Sequence, residues 1–154
     1  MLNRIKELLT PERTARSPES RSGEELHLAA AALLVESASM DGNFDENERQ
    51  CIITLLQNQF ELSIEETITL IDEAEHAVEG TGQLYGFTRV VKDCYDEGDR
   101  INIIEMLWEV AYADGNADPF EKNLILRVAG LIFVSDKDRG LAKKRVMARL
   151  GISD

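Results

Sequence analysis

Two short acidic segments contain the residues of this sequence that are best suited to chemistry. Residues 41–48 read DGNFDENE, and residues 114–121, 73 positions later, read DGNADPFE. Asp, Asn, Asp and Glu recur at relative positions 1, 3, 5 and 8. Their side-chain oxygens are the ligands that hard divalent cations prefer. The spacing therefore predicts a weak Ca²⁺ or Mg²⁺ site at each segment. The candidate ligands are Asp41, Asp45 and Glu48 in the first and Asp114, Asp118 and Glu121 in the second.

The same segments also fit helix–helix corners that bind nothing. Gly42 and Gly115 stand where a helix ends in a left-handed residue. The second Asp of each segment suits the N-cap of the next helix, and the Glu three residues later completes a capping box. Capping does not explain the first Asp of each segment. An acid at a helix C-terminus faces the negative end of the helix dipole, which is unfavourable by a few tenths to about 1 kcal/mol. The pattern is not an EF-hand, which is longer and has Gly at position 6.

The hydrophobic periodicity predicts an all-α bundle of about seven helices, built from two related halves with Asp-Gly corners. Helices are expected over residues 24–40, 45–60, 63–78, 83–95, 100–113, 119–133 and 136–149. Asp99 is expected to cap the fifth, after Gly98 ends the fourth. The sixth is apolar nearly all round and is expected to be the central, buried helix. No segment alternates with period two, so no strands are expected.

The N-terminal 23 residues differ in composition from the rest. Residues 1–23 hold five basic and three acidic side chains, while the chain as a whole has a formal net charge of −12. We interpret residues 1–23 as a tail or linker with one optional short helix over residues 2–9, and residues 24–154 as the domain. Contact of this tail with a membrane surface is one interpretation, and packing on the domain is the favoured one.

Charge and cysteine content limit the class of protein. The excess of acid argues against nucleic acid as a partner, because phosphate binding needs clustered Lys and Arg, but it suits cations and basic proteins. Cys51 and Cys94 lie in apolar patterns without metal-ligand spacing and are expected to be buried free thiols. No apolar run approaches the ~18 residues of a membrane span, and no signal peptide is recognised, so a cytoplasmic location is expected.

The doubled corner resembles the TerB-like family of tellurite-resistance proteins. The resemblance rests on Ala-x-x-Asp-Gly at residues 38–42 and again at 111–115, each followed by the capping Asp and Glu, and it extends over about residues 24–150. It implies a bacterial, cytoplasmic, all-helical stress-response protein, with acidic corners that bind metal and with partners that include membrane-associated proteins. It implies no enzymatic activity. The J-domain of a related co-chaperone group is absent from this chain.

These observations leave three functional hypotheses. The favoured one is a non-enzymatic adaptor or binding protein whose corners bind a divalent cation or a basic partner, with a protein partner that is sometimes attached to a membrane. The second is a structural or protein-interaction bundle in which every acid is a helix cap. The least favoured is a metal-dependent hydrolase, since no general base is placed near the corners and both histidines are remote from them in sequence. No catalytic residue is assigned.

Deleting residues 1–23 should leave a domain that still unfolds cooperatively, because the apolar periodicity begins at Leu26. Calorimetry of the truncated chain checks this, with the full chain as reference. Loss of the thermal transition would mean that the tail belongs to the core.

Overall fold

The described part of the chain is entirely helical. In a computed structural model, residues 23–40, 42, 44–79, 83–113 and 115–153 are described, and no strand occurs among them. The seven helices are α1 (Gly23–Ala38), α2 (Glu46–Phe60), α3 (Ile64–Val78), α4 (Gln83–Cys94), α5 (Glu97–Ala111), α6 (Pro119–Leu131) and α7 (Asp136–Leu150). The expected all-α bundle of about seven helices is confirmed. The predicted tail helix and Asp41, Asn43 and Asp114 lie outside the described residues.

Helix α1 is the centre of the bundle. Every residue from Leu28 to Val35 is at most 1% exposed, and α1 contacts α2, α3, α4, α5 and α6. Four of those eight residues are the alanines of residues 29–32. Small side chains let neighbouring helices approach closely, since interaxial distances depend on the side chains at the contact. The alanine run therefore allows five helices to pack on a single one.

The prediction that the sixth helix would be central is wrong. Helix α6 buries one face, formed by Leu124, Ile125, Val128 and Ala129, while Leu126 is 48% exposed and Arg127 faces solvent. Apolar side chains at the surface are common in folded proteins, so a long apolar run does not by itself indicate a buried helix. Side-chain size determines which helix is central. A helix enclosed by five others needs small residues where they pack, and α6 has large ones.

The helices of the two halves correspond in order. Helices α1, α2 and α3 begin 72 to 74 residues before α5, α6 and α7, and α4 joins the two sets. Helix α1 packs on α3, and α5 packs on α7. A second pair of turns also matches, since Glu61 and Phe133 both adopt left-handed conformations two residues before the capping Ser63 and Ser135. An approximate two-fold axis relating the halves stays a prediction.

The corners after α1 and α5 have the same backbone hydrogen bonds. Gly42 N–H donates to Ser39 O at 3.0 Å, and Gly115 N–H donates to Tyr112 O at 2.9 Å. Met40 and Ala113 donate in the same way to the carbonyls of Ser37 and Val110, both at 3.2 Å. Gly42 has φ 79° and Gly115 has φ 96°, a region that costs an L-residue about 1–2 kcal/mol. The two glycines therefore allow both turns without this strain.

The start of α5 differs from the prediction. Its N-cap is Asp96, whose carboxylate accepts a hydrogen bond from Asp99 N–H at 2.8 Å, and Gly98 lies in the first helical turn. The prediction that Asp99 caps this helix is therefore wrong. The sequence contains two acids that both suit a cap, and only the short link from Cys94 to Glu97 selects the earlier one.

Two arginines of α7 bind two glutamates of α5. Arg149 Nη1 lies 3.0 Å from Glu105 Oε1, Arg149 Nε lies 2.9 Å from Glu109 Oε1, and Arg145 Nε lies 2.9 Å from Glu105 Oε2. The face of α7 that reads as basic in the sequence is thus partly turned toward α5. Such a network fixes the register of one helix against another.

No helix in the described part of the chain has the length and apolar character needed to cross a bilayer.

Replacing Gly42 or Gly115 by Ala should lower the free energy of unfolding by about 1–2 kcal/mol. The cost comes only from the left-handed backbone, because an added Cβ would meet no atom within 4 Å at either position. Gly140, within α7, is the matched control. An added Cβ is equally unobstructed there, but the backbone is helical, so Gly140→Ala should stabilise the fold by about 0.5–1 kcal/mol. Urea denaturation measures the free energy of unfolding of all three variants. A change of the same sign at a corner glycine and at Gly140 would contradict the argument.

Candidate functional site

Four of the six predicted cation ligands lie within the described residues. Asp45 and Glu48 lie at the start of α2, and Asp118 and Glu121 lie at the start of α6. Asp41 and Asp114 lie outside the described residues, so the complete ligand set cannot be assembled from the described acids. The cation site stays a prediction.

Asp45 and Asp118 are helix caps. Asp45 Oδ1 accepts a hydrogen bond from Glu48 N–H at 2.8 Å, and Glu48 Oε1 accepts one from Asp45 N–H at 3.3 Å, which completes a capping box. Asp118 Oδ1 accepts from Phe120 N–H at 2.7 Å, with Pro119 at the first helical position. Both carboxylates therefore satisfy N–H groups that would otherwise lack a helical partner.

Glu48 and Glu121 are more buried than capping requires. Their exposed fractions are 6% and 4%. Ser63 and Glu66 form a second capping box at the start of α3, with the same reciprocal hydrogen bonds as Asp45 and Glu48, and Glu66 is exposed. Because desolvation of a carboxylate is unfavourable, burial at both corners needs a reason besides capping.

Among the described residues, no group of three or more His, Cys, Asp or Glu side chains is arranged to hold a metal ion. The two histidines lie elsewhere in the fold. The His27 ring stacks on Phe60 at 4.1 Å between centroids, and burial lowers its pKa. His76 is exposed on α3, and its Nδ1 lies 2.8 Å from the carbonyl oxygen of Asp72. The interpretation of the histidines as packing or surface residues agrees with these positions.

A cleft of about 580 Å³ lies between the start of α2 and the corner that follows α5. One wall comes from α2, with Asn47, Gln50, Cys51 and Thr54. The opposite wall comes from the end of α5 and its corner, with Glu109, Tyr112 and Gly115. The last residue of α7, Leu150, and Ile152 beyond it close one end. Asn47 belongs to the first acidic segment and Gly115 to the second. The cleft therefore brings the two segments to opposite sides of one cavity.

Two carboxylates act on the thiol of Cys51, which lines the cleft. Burial, with smaller contributions from the nearby carboxylates of Glu109 and Glu48, raises the pKa of the Cys51 thiol to about 12. Reaction or metal binding through sulfur requires the thiolate, so Cys51 is a poor nucleophile and a poor metal ligand at neutral pH. Both cysteines are free and half-buried rather than fully buried as expected.

Sequence reasoning did not identify this cleft. Cys51, Glu109 and Tyr112 are far apart in the chain and carry no motif, and only the packing of α2 against α5 brings them together. The signal that could have found it is the recurrence of Glu36 as Glu109 at the 73-residue offset. Each of these glutamates precedes the first Asp of its segment by five residues, about 140° around a helix, so the motif alone does not place them at the acidic corners.

A second groove, of about 420 Å³, lies between the start of α1 and α3. Its walls include Glu24, Glu65, Glu66 and Glu73, with Leu62 and Leu70 among the apolar residues. It is separate from both corners, and its acidic character adds to the negative surface of the domain.

Fold and site together define a class: an all-helical bundle in which two corners of identical hydrogen bonding carry acidic segments. The family described as tellurite resistance protein TerB matches residues 27–144, which is more than half of the chain's 154 residues. The chain belongs to this family. No curated protein and no solved structure matches it.

Alkylation of Cys51 should be slow at neutral pH and should still accelerate between pH 9 and pH 11. With a pKa near 12, only about one thiol in 10⁴ is ionised at pH 8. Iodoacetamide labelling of Cys94→Ser, followed by mass spectrometry across this pH range, isolates Cys51. The same protein unfolded in urea is the control, and its labelling rate should level off near the pKa of about 8.5 of an unperturbed thiol. A rate for the folded protein that also levels off near pH 9 would contradict the burial argument.

Proposed function

We propose that this protein is a non-enzymatic bacterial stress-response adaptor of the tellurite-resistance type, whose acidic corners bind a divalent cation or a basic partner. The family match supports the tellurite-resistance part of the proposal. The formal net charge of −12 supports positively charged ligands and argues against nucleic acid. We place the protein in the cytoplasm, with a protein partner that is in some circumstances attached to a membrane.

The burial of Glu48 and Glu121 is the observation that carries the cation proposal. The exposed Glu66 performs the same capping role as Glu48, so capping does not explain why Glu48 is only 6% exposed. Glu121 is buried to a similar depth, at 4%. A divalent cation at each corner offsets the cost of desolvating a carboxylate, because the ion is the largest local charge in such a site. Asp41 and Asp114 would supply the ligands nearest to each glycine.

An adaptor is favoured over a hydrolase by the groups in the cleft beside the second corner. A hydrolase needs a concave site next to acids, and this cleft is the observation that supports the hydrolase alternative. Apart from Tyr112, its titratable side chains are a thiol with a strongly raised pKa and a glutamate bound to Arg149. Neither is a suitable general base near pH 7. The further alternative, a bundle whose acids only cap helices, differs from the proposal in its response to cations.

Millimolar Ca²⁺ or Mg²⁺ should raise the melting temperature of the wild type. A ligand that binds only the native state at ten times its Kd stabilises it by about 1.4 kcal/mol, which corresponds to about 3–6 °C for a domain of this size. Asp41→Asn and Asp114→Asn should each reduce the increment, and the double variant should abolish it. Without the cation these variants should melt at or slightly above the wild-type temperature, since they relieve repulsion from a helix C-terminus.

Glu65→Gln is the matched control, because it removes one exposed acid of α3 without touching either corner. The cation should raise the melting temperature of this variant by as much as that of the wild type. Scanning calorimetry at constant ionic strength measures all forms. Identical melting curves of the wild type with and without the cation would defeat the cation proposal and leave the cap-only bundle or a purely protein-binding surface.

A further inference from the structure

The cleft between α2 and the end of α5 has a counterpart in the other half of the fold. At the offset of 73 residues, Thr54 of α2 corresponds to Arg127 of α6, and Glu109 of α5 corresponds to Glu36 of α1. The two members of each pair occupy the same kind of position, since both glutamates are half-buried and both partner positions are exposed. The corners that follow the two glutamates also share their backbone hydrogen bonds.

The counterpart position already contains a cation. Arg127 lies close enough to Glu36 to lower the pKa of that carboxyl, against the larger effect of burial, which raises it. In the half that contains the cleft, Thr54 stands where Arg127 would be, and a cavity of about 580 Å³ remains. Arg127 thus acts electrostatically on Glu36 in one half, and a neutral threonine borders the cavity at the corresponding position of the other half.

Glu109 retains a carboxylate oxygen for a second cation. Arg149 binds Oε1 of Glu109 through both Nε and Nη2, and no described residue hydrogen-bonds Oε2. Glu109 therefore lines the cleft with one carboxylate oxygen that no described residue hydrogen-bonds.

The fold also leaves a buried polar group of this wall without a partner. Tyr112 lines the cleft and is 5% exposed, and its hydroxyl makes no hydrogen bond. Buried polar atoms of this kind are rare in folded proteins, and each one requires an explanation. The amide oxygens of Asn47 and Gln50 lie on the opposite wall and add hydrogen-bond acceptors.

We propose that the cleft binds the guanidinium group of an arginine side chain from a partner protein, in the position that Arg127 occupies in the other half of the fold. This deepens the basic-partner part of the proposed function and does not depend on a cation at the corners. Arginine suits the cleft better than lysine. Its planar group donates five hydrogen bonds in a fixed fork and loses less hydration on entering a half-buried site than an ammonium does.

The first test titrates the protein with Nα-acetyl-arginine amide, without divalent cations, and follows backbone amide resonances by NMR. Saturable shifts are expected at Cys51, Ala113 and Gly115, with an affinity in the millimolar range. The citrulline analogue has the same shape without the charge and should give less than a tenth of the shift. A peptide with one arginine between neutral residues tests whether the guanidinium source is a protein, and it should bind at least as tightly as the free amide.

Exchange of the corresponding residues provides the second test. Thr54→Arg should place an internal guanidinium beside Glu109 and weaken binding of the probe at least tenfold. Arg127→Thr should open the counterpart position and create a second set of shifts near Gly42 and Asn123. Both positions are exposed, so both variants should fold. Asn58→Arg adds the same charge one turn further along α2, outside the cleft, and should bind like the wild type.

Equal shifts with citrulline, or unchanged binding by Thr54→Arg, would overturn the proposal. Loss of binding in Asn58→Arg to the same degree as in Thr54→Arg would also overturn it, because a general charge effect would then explain both. The outcome is separate from that of the cation experiment. If arginine binds and divalent cations do not change the melting temperature, the cleft proposal holds and the corner cation sites are excluded. If cations raise the melting temperature and arginine does not bind, the corner sites hold and the cleft proposal fails.

Discussion

The fold depends on burying one helix on all sides. From Leu28 to Val35 the side chains of α1 are almost completely removed from solvent, and five other helices contact it. Its alanines contribute little hydrophobic free energy themselves, because each buries only a small apolar area. They allow the larger residues of α2 to α6 to meet across short distances. A larger side chain in this run would displace neighbours in a close-packed interior, at a typical cost of about 1–3 kcal/mol.

The corners transmit this arrangement to the acidic residues. A left-handed glycine ends the helix, and an aspartate three residues later begins the next one, so two carboxylates per segment are oriented by backbone geometry before any ligand is considered. Because the second helix of each pair then packs on the core, its third residue is drawn inward. The burial of Glu48 and Glu121 is therefore a consequence of helix direction as well as a candidate for function. The cation experiment separates these two contributions.

Local signals in the sequence were enough for the helices and most of their caps. Asp45 and Asp118 cap helices where the spacing of side chains predicts them, because capping depends on residues within one turn. At the start of α5 both Asp96 and Asp99 suit an N-cap, and local spacing alone does not select Asp96. The central helix was misassigned because periodicity measures apolarity and not side-chain size. The cleft could not be predicted, since it depends on how α2 packs against α5.

The position of α1 in chain order has a consequence for how the protein is made. This helix precedes the six others, and its partners α5 and α6 begin at Glu97 and Pro119. As the chain leaves the ribosome, the most apolar helix is therefore exposed until most of the domain has been synthesised. Domains generally fold as units, and apolar surface exposed in the interval favours aggregation. A nascent chain stopped before α5 would present Leu28, Leu33 and Leu34 without their full set of partners and should be a substrate for chaperones.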